Sequence, residues 1–144
     1  MDNINNHVAG MIKMISEAIE KNSDKLLKEY NITNGQVRIM AVIMCIHNGE
    51  CTFKEIESYF SYSSTAISGM ISRLEQKGFL ESFSCDNDKR VKCVRMKSRG
   101  RDIVSAARKE LEKVEQDILA DLNNDERKMF LSLLGRVHKR AQML

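Results

Sequence analysis

The spacing of apolar and polar positions predicts long helices at both ends of the chain and a central segment of short helices and strands. In the middle, one stretch repeats its apolar residues in steps of three and four, which predicts an amphipathic helix: Ile67, Met70, Ile71 and Leu74. The opposite face of that helix carries short hydroxyl side chains with an arginine beside them: Ser64, Thr65, Ser68, Ser72 and Arg73. Because serine and threonine have lower helix propensity than the residues of an ordinary solvated face, this face favours a close-fitting partner such as a DNA groove. A merely polar face is the alternative that this helix alone leaves open.

Two capping boxes mark helix starts upstream of this stretch. Thr33 is followed three residues later by Gln36, and Thr52 by Glu55, so each pair can satisfy backbone donors at a helix start. The first box precedes residues 39–46, which are apolar nearly all round and predict a central, buried helix. The second box predicts a short helix with a brief strand before it, and together with the hydroxyl-faced helix it forms a helix-turn-helix.

Two strands are expected after the hydroxyl-faced helix. Residues 79–84 and 91–96 alternate in the manner of half-buried strands, and the polar residues 85–90 between them suit a turn. They predict a β-hairpin. If the hairpin folds about Asp88, Cys93 lies opposite Phe83 and diagonal to Cys85 on the same face.

The two ends of the chain carry more apolar surface than a small core can cover. Residues 4–27 hold a long apolar stripe at helical spacing, and residues 98–122 and 123–144 hold narrow coiled-coil-like seams, with Asn123 capping the last helix. We therefore expect a helical dimerisation region built from both ends, with an intramolecular bundle as the alternative. The seam residues we assign to dimerisation are Val104, Leu111, Ile118, Leu134 and Val137.

Length and composition indicate a single, mainly helical domain and argue against a membrane protein or an enzyme. The 144 residues suit one mainly α domain with a small β-hairpin or sheet, long enough to bury a core without disulfides or metals. The chain has no run of about 18 apolar residues and its start has no signal-peptide pattern, so we expect a cytoplasmic protein without membrane contact. The four cysteines lack C-x-x-C spacing and are expected to be free thiols there. No phosphate-binding loop, nucleophile elbow or catalytic cluster is present, so no enzyme is expected.

Positive charge is concentrated in one segment. Between Arg73 and Arg101 there are nine basic and four acidic residues, a net charge of +5, whereas the whole chain carries only +3. A local basic patch of this kind is typical of a phosphate-binding surface. A winged-helix protein-interaction module is a competing class, but it would more often show an exposed apolar patch there.

At this point the sequence resembles the MarR family of winged helix-turn-helix transcriptional regulators. The resemblance rests on Leu74 to Leu80 (LEQKGFL), the wing-tip sequence Asp88-Lys89-Arg90 and the stretch from Met96 to Arg101, in the family's order and spacing. It covers nearly the whole chain, with about 33–100 as the winged helix-turn-helix DNA-binding lobe and about 4–30 and 101–144 as dimerisation helices. Lys97 departs from the family's usual threonine, and the serine-rich helix leaves the base preference open.

The resemblance implies a homodimer that binds a pseudo-palindromic operator in double-stranded DNA, most simply as a repressor released by a ligand. Arg90 matches the arginine of the wing and is expected to enter a minor groove, while Asp88 holds it in position and Lys89 and Lys92 contact phosphates. The full set of expected DNA-binding residues is Ser63, Ser64, Thr65, Ser68, Ser72, Arg73, Lys89, Arg90 and Lys92.

The resemblance also implies a small apolar or aromatic effector but supplies no motif for its site. Methionine-rich surfaces adapt to varied ligands, so a pocket could use Met11, Met14, Met40 and Met44, with ordinary core filling as the simpler explanation.

The four cysteines are the residues that could support metal binding or redox chemistry. Cys45, His47 and Cys51 lie close in sequence, but no further ligands occur at a known spacing, so neither a metal nor another cofactor is expected. Cys85 and Cys93 flank the wing, where a disulfide would distort it, so a redox-sensing regulator is an alternative to inert thiols.

Overall fold

The computed structural model describes residues 7–46 and 48–144 as a mainly helical chain with one small antiparallel sheet. This confirms the expected fold class. The elements in chain order are α1 (Val8–Tyr30), α2 (Asn34–Cys45), β1 (Glu50–Thr52), α3 (Phe53–Glu57), α4 (Ser64–Gln76), β2 (Leu80–Cys85), β3 (Asp88–Met96), α5 (Ser98–Ile118) and α6 (Asn124–Ala141). The expected start of the first helix near residue 4, and His47, lie outside the described residues.

Capping chemistry sets the starts of three helices. Thr33, Thr52 and Asn123 each accept a hydrogen bond from the backbone three residues on, and the side chains of Gln36, Glu55 and Glu126 accept in return from the N-cap backbone. The capping boxes at Thr33 and Thr52 and the cap at Asn123 were predicted from the sequence and are confirmed. They fix where α2, α3 and α6 begin, because the first N–H groups of a helix have no partner within the helix.

The sheet has the strand order β1-β3-β2 and forms the wing. In the β2–β3 hairpin, Phe83 lies opposite Cys93, as expected for a hairpin that folds about Asp88. The tip differs from the expected polar loop over 85–90, because β3 extends back to Asp88 and leaves only Asp86 and Asn87 in the turn. A register shift between Ser84 and Cys85 accompanies this longer strand.

The core lies between α2, α4, the sheet and the start of α5. Its fully buried side chains combine the apolar faces of these elements: Ile39, Met40, Ile43, Ile56, Ile67, Ile71, Leu74, Phe79, Leu80 and Val94. Burying side chains of this size stabilises the fold by about 1.5–3 kcal/mol each. The apolar face of α4 is thus fixed inward, which leaves its hydroxyl face outward.

The terminal helices leave a large apolar surface uncovered within one chain. Leu111 and Ile118 of α5 are 38% and 45% exposed, Leu134 and Val137 of α6 are also exposed, and none of the described residues of α6 is buried. Helix α1 packs against α5 but keeps its apolar residues near the N-terminus exposed. Val104, which we assigned to the seam, is only 8% exposed and packs in the lobe core.

Gly100 fixes the junction between the wing and α5. A Cβ at this position would collide with the backbone oxygen of Phe79. We expect Gly100→Ala to lower the free energy of unfolding by about 1–3 kcal/mol, because backbone must move to make room. Gly69, inside α4, has no described atom within 4 Å of such a Cβ, so Gly69→Ala should instead raise stability by about 0.5–1 kcal/mol. Urea unfolding of both variants measures the contrast, and equal effects would show that the close approach at Gly100 is not real.

Candidate nucleic-acid interface

The N-terminus of α4 is built to present hydroxyl groups and backbone amides to solvent. Ser63 is the N-cap, and its hydroxyl oxygen accepts the N–H of Ala66 at 3.1 Å. Ser64 and Thr65 follow, both exposed. The turn before them is held by stacking of the Phe60 and Tyr62 rings, whose centroids are 5.4 Å apart. A helix N-terminus with exposed amides and hydroxyls favours a phosphate.

A groove of about 380 Å³ lies between the hydroxyl face of α4 and the wing. Ser68 and Ser72 line it from α4, and Lys92 lines it from β3. The Lys92 ammonium lies 6.0 Å from the centroid of the Phe53 ring, which places its positive charge at the groove wall. The structure therefore brings three of the expected DNA-binding residues together on one concave surface, with Arg73 exposed on the same helix.

Glu75 ties the end of α4 to the outer edge of the wing. Its two carboxylate oxygens accept the backbone N–H of Ser82 at 2.8 Å and the Ser82 hydroxyl at 2.7 Å. These bonds lower the pKa of Glu75 below its ordinary value, since they stabilise the charged form. The wing is thereby fixed relative to the helix that shares its groove.

The pH dependence of this link has a definite sign. Because the pKa of Glu75 is lowered in the folded state, the link stabilises the fold above the ordinary value of 4.5 and is lost as pH falls through the folded-state value. We expect Glu75→Gln to lower the melting temperature near neutral pH, with the difference from the native protein shrinking as the pH falls below 4.5. Glu115→Gln, at an exposed position of α5, is the matched control. A difference that stays constant over this range would contradict the role of the Glu75 charge.

The wing tip presents two cations. Within the described residues, the side chains of Lys89 and Arg90 are exposed and have no partner. The backbone N–H of Arg90 donates to the carboxylate of Asp88 at 2.9 Å, so Asp88 contacts the backbone of Arg90 and not its guanidinium. The guanidinium is left available for an outside partner.

Several cations of the basic segment are engaged within the chain. Arg95 is paired with Glu50 and Glu81, each at 2.9 Å, and lies 4.6 Å from the centroid of the Phe83 ring. Arg101 donates to the backbone oxygen of Asn48 at 2.7 Å, so it braces a loop. The charge available to a ligand is therefore smaller than the net +5 of the sequence and is concentrated on α4 and the wing tip.

The cysteines differ from the expectation of four free thiols. Cys85 and Cys93 form a disulfide between the two wing strands, with their Cα atoms 6.0 Å apart. Cys45 is free and exposed, and Cys51 is free and buried. Burial raises the pKa of Cys51 to about 11, with smaller contributions from Glu55 and Glu50. Phe83 lies opposite Cys93 as predicted, but Cys85 lies opposite Asp88, so the predicted diagonal placement of Cys85 and Cys93 is wrong at the tip. The disulfide between them was the alternative to the expected free thiols.

The methionines suggested for an effector pocket do not form one surface. Met40 is fully buried and Met44 packs against the core, whereas Met11 and Met14 lie exposed on α1. Core filling therefore explains Met40 and Met44. No group of three or more His, Cys, Asp or Glu side chains suited to a metal occurs among the described residues, which do not include His47.

Sequence reasoning missed two residues that organise this surface, Glu75 and the paired Arg95. Glu75 stands in the expected LEQKGFL stretch, but only the fold shows that Ser82 passes beside it. Arg95 is an exposed position of β3 with a buried residue on each side. It lies opposite Glu50 on β1 and opposite Glu81 on β2. Cross-strand pairing in the predicted hairpin could have shown Arg95 opposite Glu81.

Comparisons with family models, curated proteins and solved structures all point to one family of regulators. Residues 32–92 match the model described as the MarR family. The uncharacterized HTH-type transcriptional regulator YdgJ of Bacillus subtilis is 24% identical over 71% of the chain and 62% of its own length, so the chain spans less than two thirds of that relative. A second B. subtilis regulator, YwoH, is 25% identical over 92% of the chain and 95% of its length. The fold is similar to that of MepR in the S. aureus MepR–DNA complex, with a TM-score of 0.81, 19% identity and coverage of 93% and 98% of the two chains.

In the part of the chain that the structure describes, no helix is both long enough and apolar enough to cross a bilayer.

Proposed function

We propose that the chain is a member of the MarR family, whose model matches residues 32–92, and that it is a homodimeric transcriptional regulator that binds a pseudo-palindromic operator in double-stranded DNA. The observation that carries the proposal is the shared groove between the hydroxyl face of α4 and the wing. A helix with a polar, close-fitting face and a flanking β-ribbon with free cations match the two grooves of duplex DNA.

The proposed contacts divide into two groups. In the major groove, α4 presents Ser68, Ser72 and Arg73 to base edges and backbone, while Ser63, Ser64 and Thr65 at its N-terminus meet phosphates. At the wing, Arg90 enters the adjacent minor groove, and Lys89 and Lys92 bind the flanking phosphates.

The distribution of exposed apolar side chains favours DNA over a protein partner at this surface. Within the described residues, the large exposed apolar side chains lie on α1, α5, α6, the residues after α6 and the turn before α4, and none lies on α4 or the wing. A protein-docking surface would be expected to show such a patch. The recognition surface therefore suits a charged, polar ligand, and the apolar surface suits another copy of the chain.

The dimer is proposed to form through the terminal helices. The exposed apolar residues Leu111 and Ile118 of α5 and Leu134 and Val137 of α6 lie on faces that nothing in one chain covers. Pairing two copies buries these faces and places two recognition helices about one turn of DNA apart, roughly 34–36 Å. Both halves of a pseudo-palindrome are then read at once.

The regulatory role is proposed to be repression relieved by a small apolar or aromatic ligand, as is typical of the family. We place the protein in the cytoplasm, where its operator is, and assign it no enzymatic activity, in keeping with a family of regulators. We propose that the effector binds in the cleft between the dimer helices and the lobe. The four methionines that we considered for the site do not form one surface.

Selection of bound sequences from a random duplex library tests the proposed function. We expect enrichment of one pseudo-palindrome whose half-sites are centred about 10–10.5 base pairs apart. The double variant Ser68→Ala, Ser72→Ala should lose the sequence preference. It should remain folded, because both side chains lie on the outward face of α4. Selection that enriches no sequence would contradict the proposal.

A further inference from the structure

The lobe is attached to the long helices α1 and α5 only at their ends. In α1, Leu27 near the C-terminus is the one buried residue among those that the structure describes. In α5 the buried residues all lie within the first two turns: Gly100, Ile103 and Val104. Beyond these ends the two helices leave the core of the lobe, and α1 packs against α5. The orientation of the lobe is therefore set where α1 ends and α5 begins.

The C-terminal end of α4 meets both of these helix ends. Lys77 is the half-buried C-cap of α4, and its ammonium donates a hydrogen bond to the backbone oxygen of Asn31. Asn31 is the left-handed C-cap of α1, with a φ of 51°. The backbone oxygen of Lys77 accepts from the guanidinium of Arg99, on α5, at 3.3 Å, and Arg99 lies 5.2 Å from the centroid of the Phe79 ring. These four residues form the neck between the lobe and the two long helices.

Electrostatics give the Lys77 ammonium a specific role in the neck. Helices α1 and α4 both end there, and the C-terminus of a helix carries a partial negative charge on its unpaired carbonyl groups. Two such ends repel each other unless a cation lies between them. Lys28, the basic residue in the last turn of α1, lies 3.9 Å from Asp24 instead. Lys77 therefore holds together two helix ends that would otherwise repel.

We propose that Lys77 is a positioning residue for operator recognition, which holds the lobe at one angle on the dimer helices and so sets the half-site spacing that the protein accepts. This inference rests on the proposed function, because spacing matters only to a dimer that binds two half-sites. Lys77 does not line the groove between α4 and the wing, so it acts on recognition through the orientation of the lobe.

The geometry of DNA gives the size of the motion that the neck must resist. One base pair added between the half-sites moves them about 3.4 Å further apart and turns one relative to the other by about 35°. In a symmetric dimer each lobe takes half of this turn, a rotation of about 17° on its long helices. Such a rotation moves atoms at the surface of a helix, about 5 Å from its axis, by about 1.5 Å. The Lys77 hydrogen bond cannot follow, because its two heavy atoms must stay about 2.7–3.2 Å apart.

Both lobes must therefore break the Lys77 bond in order to follow a changed spacing. One hydrogen bond changes an equilibrium by a factor of about three to ten, and the dimer has two such bonds. We expect the native protein to discriminate against a spacing changed by one base pair about 10–100 times more strongly than a protein that lacks the bond.

The test measures affinity by fluorescence anisotropy for three duplexes. One carries the selected pseudo-palindrome, the second has one base pair inserted at its centre, and the third has one base pair removed there. Lys77→Met removes the ammonium but keeps an apolar stem, and it should lower the preference for the selected spacing by about tenfold or more. Its affinity for a duplex with a single half-site should equal that of the native protein, because the hydroxyl face of α4 is unchanged. Lys77→Arg keeps a cation and its donors and should retain most of the preference.

Lys113→Met is the matched control. Lys113 donates to Glu110 at 3.0 Å within α5, so the same substitution removes a lysine hydrogen bond away from the neck. Its spacing preference should match that of the native protein. Sedimentation velocity and thermal unfolding show whether each variant keeps the dimer and the fold. If Lys77→Met does not fold, Lys77→Gln takes its place, since its shorter, neutral side chain also removes the ammonium.

Each other result has a distinct meaning. A uniform loss of affinity for all three duplexes, or an unchanged spacing preference, would overturn the role of Lys77 and leave the proposed function standing. The same relaxed preference in Lys113→Met would also overturn it, because the effect would then not arise at the neck. If the native protein binds none of these duplexes more tightly than a scrambled one, the proposed function fails, and the role of Lys77 fails with it.

Discussion

Replacing Ile118 by aspartate is expected to convert the dimer into monomers and to remove tight operator binding. Ile118 is 45% exposed on α5 in the single chain, so the substitution leaves the lobe core intact. In the proposed dimer it would bury an unpaired carboxylate, which costs several kcal/mol. A monomer holds only one half-site, so affinity should fall by about 10²–10⁴-fold.

Sedimentation velocity and fluorescence anisotropy measure these two effects. Gln116→Asp, two residues away at an exposed polar position of the same helix, introduces the same charge and should leave both properties unchanged. If Ile118→Asp still sediments as a dimer, the interface lies elsewhere on the chain. If the monomer forms but binds the operator as tightly as the dimer, two-half-site recognition is wrong.

Replacing Arg90 by alanine is expected to have the second largest effect. Its guanidinium has no partner among the described residues and stands at the tip of the wing, next to Asp88, which engages only its backbone N–H. Losing one cation from a narrow minor groove should weaken operator binding by about tenfold. The slope of log affinity against log salt should decrease by about 0.9, the value for one phosphate-type contact.

The matched control removes an equal charge away from the recognition surface. Arg108 lies on α5 and pairs with Glu112 at 3.1 Å, so Arg108→Ala changes the net charge equally without altering the wing. We expect its salt slope to match that of the native protein. An Arg90→Ala variant with unchanged affinity and slope would remove the wing tip from the mechanism.

Local signals in the sequence were sufficient to predict most of the lobe. The capping boxes at Thr33, Thr52 and Asn123 depend on residues three apart, so no tertiary information was needed to place these helix starts. The apolar face of α4 and the base of the hairpin follow from periods of 3.6 and 2. The packing of Val104 in the lobe core was not predicted, because a coiled-coil seam and a lobe-packing face have the same spacing over the first turns of α5.

Features that depend on contacts between distant elements could not be predicted from local sequence signals. The Glu75–Ser82 link requires the end of α4 to pass beside the edge strand of the wing. The engagement of Arg95 and Arg101 within the chain reduces the charge that counting alone assigns to the basic segment. At the wing tip, the regular register inferred from alternation was correct up to Ser84 and failed where the disulfide fixes Cys85.

The most direct test of the central claim is a salt titration of DNA binding by fluorescence anisotropy. One duplex carries the selected pseudo-palindrome, and the other has the same base composition in scrambled order. We expect a steep linear decrease of log affinity with log salt, at about 0.9 per phosphate contact, and clearly tighter binding to the palindrome. Weak binding with little salt dependence and no preference between the duplexes would show that the groove between α4 and the wing does not recognise DNA.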